Sequence, residues 1–253
     1  MGGMSMAGRM GYEEVMAELG SMADPDVAKG MAAFGVRAKA PLGLTMPQIR
    51  GVARRAGRDH ALAARLWASG IHEARILAGL VDVPSEVTQE QMDAWVRDFD
   101  SWDVCDQVCM SLFDRTPWAH EKAVEWADRE EEYVRRAGFA MMATLAVHDK
   151  RAPDARFVAF LPVIERHAGD DRNFVKKAVN WALRQIGKRN AALNGRAIAA
   201  GERIRAQGSK AARWVAADAL RELGSEAVQA RLRAREGRKA DGPARAGRRR
   251  GGR

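Results

Sequence analysis

The hydrophobic period constrains this chain more than any other feature. From Tyr12 to about Arg235, apolar residues recur at helical spacing, with no convincing strictly alternating run and no Asn-Gly hairpin signal. The expected class is all-α. Breaks fall where turn chemistry places them. Asp24-Pro25 supplies a cap and a first-turn proline, and Phe34-Gly35 and Ala40-Pro41-Leu42-Gly43-Leu44 interrupt the pattern. Thr45 with Pro47 restarts it, running through Ile49 and Val52. Asp59 caps the helix of Leu62, Leu66 and Trp67, which Gly70 ends. An apolar helix covers His72 to Val81, and Thr88 with Gln91 forms a capping-box pattern for the helix of Met92, Trp95, Val96 and Phe99.

Short helices in pairs then repeat. A cationic residue followed by Ala opens an apolar helix at Arg136-Ala137, Lys177-Ala178 and Lys210-Ala211, separated by about 41 and about 33 residues, the range of two-helix repeats. Glu73-Ala74-Arg75-Ile76-Leu77 is a looser earlier copy. Such units bury little alone and must stack. The pattern predicts an α-α superhelix, a right-handed solenoid of HEAT-like repeats, with second helices lining a concave surface. Cations at equivalent places in successive repeats would gather there as a basic stripe.

Charge supports this only through its distribution. The net charge is +9, but ten basic and two acidic residues lie in 231–253, so the body is close to neutral. A high pI therefore describes the end of the chain, and DNA binding by the body needs cations gathered on one face. Past Leu232 the apolar period fades. The predicted organisation is a disordered leader over 1–10, a repeat domain over 11–230 and a disordered basic tail over 231–253, which serves either phosphate attraction or solubility. Cys105 and Cys109 sit four apart on one predicted helix and read as small buried residues in a reducing compartment. With no signal core and no run of roughly 18 apolar residues, the expected location is cytoplasmic, without membrane association.

Several enzyme classes lack their motifs. His72-Glu73-Ala74-Arg75-Ile76 starts like a zinc-protease helix but has Ile where the second His must stand. There is no phosphate-binding Walker loop, dinucleotide glycine fingerprint or nucleophile elbow. His60, His72, His120, His148 and His167 are scattered singly and read as surface or capping residues.

The stretch Ser101-Trp102-Asp103-Val104-Cys105-Asp106 remains. Ser101 reads as an N-cap, Asp103 favours the positive end of the helix dipole, and Trp102 and Asp106 share a face four residues apart. An indole beside a carboxylate can hold a cation. Taken alone, a Trp at a helix start usually packs on core and an Asp in a first turn usually serves the dipole.

Together with Leu42-Gly43-Leu44-Thr45-Met46-Pro47-Gln48-Ile49-Arg50, Arg135-Arg136-Ala137 and Phe174 to Arg184, this stretch resembles the DNA alkylation repair glycosylases of the AlkD type, which are built from HEAT-like repeats. The likeness spans about residues 12–230. It implies that Trp102 and Trp181 pack on the deoxyribose of the lesion and that Asp106 is the catalytic carboxylate. It also implies that Arg136 holds a nearby backbone phosphate, with Arg135 its nearest competitor, and that Lys177 and Arg184 face DNA. Phe34 stands where the family can present a Tyr near the groove, so the ring is kept and a hydroxyl contact is lost. The activity implied is cleavage of cationic N3- or N7-alkylated purines from duplex DNA by a monomer, without cofactor, metal or base flipping. A protein of the same fold that binds bent, branched or damaged DNA without cutting it is the competing expectation.

Overall fold

The computed structural model describes residues 10–36 and 38–241, without the side chains of 239–241. Among the described residues all regular structure is helical. The chain divides into two compact units between Met141 and Met142.

The first unit holds α1 (Tyr12–Ser21), α2 (Pro25–Gly30), a 3-10 turn (Met31–Phe34), α3 (Met46–Ala56), α4 (His60–Ala68), α5 (His72–Val81), α6 (Gln89–Arg97), α7 (Trp102–Ser111) and α8 (Ala119–Ala127). α9 (Glu132–His148) follows, with the division falling inside it. Caps expected from the sequence are present at three starts. Asp24 accepts from the backbone of Asp26 and Val27, Asp59 from Leu62, and Gln48 from the N–H of Thr45. Thr88 accepts from the N–H of Gln91, but the Gln91 amide goes to buried Asp82 (2.7 Å) and leaves the box half made.

Two sets of helices stack by repeat in this unit, and a polar ladder ties each set. Along α4, α6 and α8, Trp67 and Trp95 stack with centroids 4.1 Å apart and planes 2° apart, and Phe99, Phe113 and Trp126 continue the aromatic core. Aromatic pairs add about 0.5–1.5 kcal/mol each beyond area burial. Two indole N–H groups find carboxylates, Trp67 on Asp98 (2.9 Å) and Trp126 on Asp93 (3.0 Å). Buried Lys122 is neutralised by Asp93 and Glu125, both at 2.8 Å. Along α5, α7 and α9, the joins are His72 to Asp103 and Arg136 to Asp106. Gly79 meets Val108 and Gly138 meets the backbone of α8, so small residues set the close approaches.

The second unit holds α10 (Asp154–Val158), α11 (Phe160–His167), α12 (Asn173–Gly187), α13 (Ala191–Ala206), α14 (Lys210–Leu223) and α15 (Glu226–Asp241). Asn180 of α12 donates to the Val215 carbonyl of α14 (3.1 Å), and Arg203 of α13 pairs with Glu165 of α11 (2.7 Å).

Three details depart from the sequence expectations. The repeated cation-Ala pair starts a helix only at Lys210; Arg136 and Lys177 lie inside α9 and α12, because those helices begin a turn earlier. The boundary at 230 is also too early. α15 runs to Asp241, and Val228 and Leu232 are buried, which holds an arginine-rich segment in helical form. The remainder of the predicted tail, 242–253, and residues 1–9 of the predicted leader lie outside the described residues. His72, read as a surface or capping residue, is buried. No helix among the described residues is long and apolar enough to cross a membrane.

Candidate functional site

The first turns of α7 carry the densest chemistry. Ser101 occupies the N-cap position, yet its hydroxyl makes no cap bond; Asp103 Oδ1 accepts from the N–H of Val104 instead (3.0 Å). Val104, Cys105, Val108 and Cys109 face the core, and the two thiols point at the Tyr133 and Ala137 carbonyls of α9 (3.8 Å each). That buried stripe fixes the rotation of α7 and turns Trp102 and Asp106 to the adjacent face.

There Asp106 meets Arg136 from α9. Nε donates to Oδ1 at 3.0 Å and Nη2 to Oδ2 at 2.8 Å, with side-chain exposures of 13% for Asp106 and 7% for Arg136. The fork geometry is that of a carboxylate on a guanidinium, which does not give up its proton in proteins. Burial opposes both charges. At Asp106 it prevails, raising the carboxyl above its usual range against the pull of Arg136. At Arg136 burial is overcome by the attraction of Asp106, and the guanidinium is held more firmly protonated than usual. Both shifts are upward, which works against the charged carboxylate and for the charged guanidinium, and the bidentate contact decides for the ionised pair.

The Trp102 ring lies beside this pair, its centroid 6.0 Å from the Arg136 guanidinium carbon. Its indole N–H donates to the Phe34 carbonyl (3.1 Å). Phe34 therefore contributes a backbone anchor for Trp102 while its own ring stands 78% exposed. Gly35 ends the 3-10 turn with φ 79°, the left-handed conformation that glycine adopts without strain.

A second pair lies beside the first. His72 Nε2 and Asp103 Oδ2 are 2.8 Å apart. Burial works against the charged imidazole, but Asp103 outweighs it and raises His72 above its ordinary value. Burial likewise works to raise Asp103, and the hydrogen bond and charge of His72 overcome it and hold the carboxyl low. Next to His72, fully buried Glu73 accepts the backbone N–H groups of Leu42 (2.8 Å), Gly43 (2.7 Å) and Leu44 (3.2 Å). The motif that resembled a zinc-protease helix is thus a clamp on the segment preceding α3. Among the described residues, no group of three or more His, Cys, Asp or Glu could hold a metal ion.

The structure brings Trp102, Asp106, Arg136 and the Phe34 backbone together, and it leaves Arg135 half-buried on α9. The other residues singled out by sequence belong to the second unit. Trp181 is half-buried on α12, Lys177 is exposed, and Arg184 pairs with Glu222 (2.7 Å) and Asp218 (3.5 Å) of α14. Lys177 thus stands open to solvent, whereas Arg184 is engaged within the protein. Sequence reasoning missed the His72–Asp103 pair and Trp214, which is 41% exposed with Lys176 over its ring at 5.1 Å. One signal was available for the first: its partners are separated by almost the same number of residues as Asp106 and Arg136, one repeat.

A family described as DNA alkylation repair enzyme matches residues 15–223. One solved structure has a TM-score of 0.68 at 19% identity, covering 77% of this chain and 83% of that one. It is described as belonging to "a new family of proteins related to the HEAT-like repeat DNA glycosylases with affinity for branched DNA structures". A designed armadillo repeat protein has a TM-score of 0.37 at 14% identity, covering 83% of this chain and 98% of that one. No curated protein matches. The fold is thus that of the HEAT-like repeat proteins, and the match over the greater part of the sequence makes the chain a member of the DNA alkylation repair enzyme family.

Proposed function

We propose that the protein hydrolyses the N-glycosidic bond of cationic N3- or N7-alkylated purines in duplex DNA, acting as a cytoplasmic monomer without a metal. The observation that carries this reading is the Asp106 carboxylate, slightly open to solvent, one turn from the Trp102 indole and oriented by the Arg136 fork. A binder of phosphates alone has no use for such a carboxylate. In a cationic purine the C1′–N bond breaks with its electron pair going to the base, which neutralises the base and removes the need for a general acid. The sugar develops oxocarbenium character, which a nearby carboxylate stabilises, as in other glycoside hydrolysis. An indole face adds about 0.5–2 kcal/mol of cation–π attraction. Water oriented by Asp106 then adds to C1′ and passes its proton to that carboxylate, which returns it to solvent, leaving an abasic site and the free base.

Arg136 has two tasks in this scheme. It orients Asp106 in the free protein, and a backbone phosphate that draws on the guanidinium loosens its hold on the carboxylate as the sugar arrives. Trp181 is assigned as the second aromatic on the sugar by the sequence resemblance. Working from the backbone side requires no extruded base, unlike glycosylases that flip the lesion into a pocket.

The test is release of 3-methyladenine and 7-methylguanine from methylated duplex DNA by the wild type and by Asp106→Asn, which keeps the shape and removes the charge. The reading predicts release by the wild type that collapses in the variant. Release from neither, with DNA binding intact, sinks it. The fact that both Asp106 oxygens are engaged by Arg136 favours a second reading, a binder of branched DNA that excises nothing; the solved relative is described as having affinity for branched DNA structures. Four-way-junction affinity without base release would select that one.

A further inference from the structure

Within the second unit, the end of α9, the turn after it, the end of α12 and α15 enclose an open cavity of about 700 Å³. Its walls carry Lys150, Lys188, Arg189, Arg231, Arg235 and Arg238 against one carboxylate, Asp154. Three of these cations have structural work. Arg189 donates to the carbonyls of Ala146 and Ala152 (3.1 Å each), Arg235 to those of Lys188 and Arg189 (3.2 Å each), and Lys188 pairs with Glu222 (2.7 Å). Asp154 is already engaged by the Asn190 amide at 2.9 Å.

The other three are different. Lys150, Arg231 and Arg238 are exposed, and among the described residues their side chains make no hydrogen bond or ion pair. On α15, Arg231, Arg235 and Arg238 are spaced four and three apart and share one face. Buried Val228 and Leu232 dock that helix, and the two bonds from Arg235 fix its end over the turn at 188–189. Burial, with Arg189 and Arg235 close by, lowers the Lys150 ammonium below its ordinary value, as expected where cations are held together without counter-charge.

We propose that this cavity binds the phosphodiester backbone of DNA, with Lys150, Arg231 and Arg238 as the phosphate ligands and Arg189 and Arg235 as the frame that holds them. A pocket of concentrated positive charge with pre-placed guanidinium forks suits multivalent phosphate oxygens. In a DNA alkylation repair enzyme, the polyanion at hand is the DNA strand itself. The site is independent of whether Asp106 takes part in catalysis, and it gives affinity without sequence or lesion preference.

The experiment measures binding of an undamaged 20-base-pair duplex to the full-length protein across a salt series. It compares the wild type with Lys150→Ala/Arg231→Ala/Arg238→Ala and with Lys29→Ala/Arg65→Ala/Arg233→Ala, which removes equal charge from cations paired elsewhere on the surface. Each lost phosphate contact flattens the slope of log K against log salt by about 0.9, so the cavity variant should lose about 2 to 3 in slope and about tenfold or more in affinity at 0.1 M salt. The control should stay near the wild type, and unchanged circular dichroism shows that both variants fold. Equal slopes for the two variants, or a wild-type slope in the cavity variant, overturn the proposal. So does a cavity that takes up tripolyphosphate while its removal leaves duplex binding untouched.

Discussion

Replacing Arg136 with Ala removes two charge-assisted hydrogen bonds from Asp106 and leaves that carboxylate in a site that exposes only 13% of it. Each such bond contributes about 1.5–3 kcal/mol net, and breaking one partner of a buried ion pair costs about 3–5 kcal/mol. Because Asp106 keeps some contact with solvent, the lower end applies, and about 3 kcal/mol is expected for Arg136→Ala. Asp106→Ala strands the guanidinium instead and should cost a similar amount. The double variant removes both charges together, so it should cost about as much as either single one, a coupling of about 2–3 kcal/mol. Urea unfolding of the four proteins measures this, with an m value of about 3 kcal/mol/M placing each single midpoint about 1 M below the wild type. Fluorescence and circular dichroism followed together reveal whether the two compact units unfold in one transition. A coupling below about 0.5 kcal/mol would refute the reasoning, since additivity is the behaviour of residues that do not interact.

The His72–Asp103 pair predicts a pH dependence of stability. His72 is raised when folded, so its contribution is complete below about pH 6.5 and is lost as pH rises through the folded value. Asp103 is lowered when folded, so its contribution is present above about pH 3.9 and is lost as pH falls through the folded value. Melting temperature should therefore fall on the alkaline side of pH 6.5, and Asp103→Asn should abolish that fall; an unchanged alkaline limb in the variant assigns it to another group. Gly43→Ala tests the segment clamped by Glu73: at φ 84° a Cβ would collide with the Asp24 carbonyl oxygen and lie 2.8 Å from the Ala28 nitrogen. A cost of about 2 kcal/mol, or about 4–8 °C in melting temperature, is expected, and a fall under about 1 °C would show that the segment yields without loss.

The class of fold is legible along the chain, because helical period and cap residues act within a few positions of one another. Asp24, Asp59 and Thr88 start helices in the structure as their sequence context predicts. That Trp102 and Asp106 share a face is equally legible, since four residues are about one turn of an α-helix. What those residues meet depends on how the helices pack. Arg136 was legible as a phosphate ligand by resemblance, yet it lies on Asp106 because α9 packs one repeat away from α7. His72 read as surface because a lone histidine has no period, and its burial depends on Asp103 arriving from the next repeat. The arginines after Ala230 read as tail because their apolar neighbours are too few to show a period, while two buried side chains, Val228 and Leu232, are enough to hold α15 in place. Short-range chemistry is written along the chain, whereas the partners that set charge and exposure come from helices about thirty residues away, a distance set by repeat stacking rather than by any local motif.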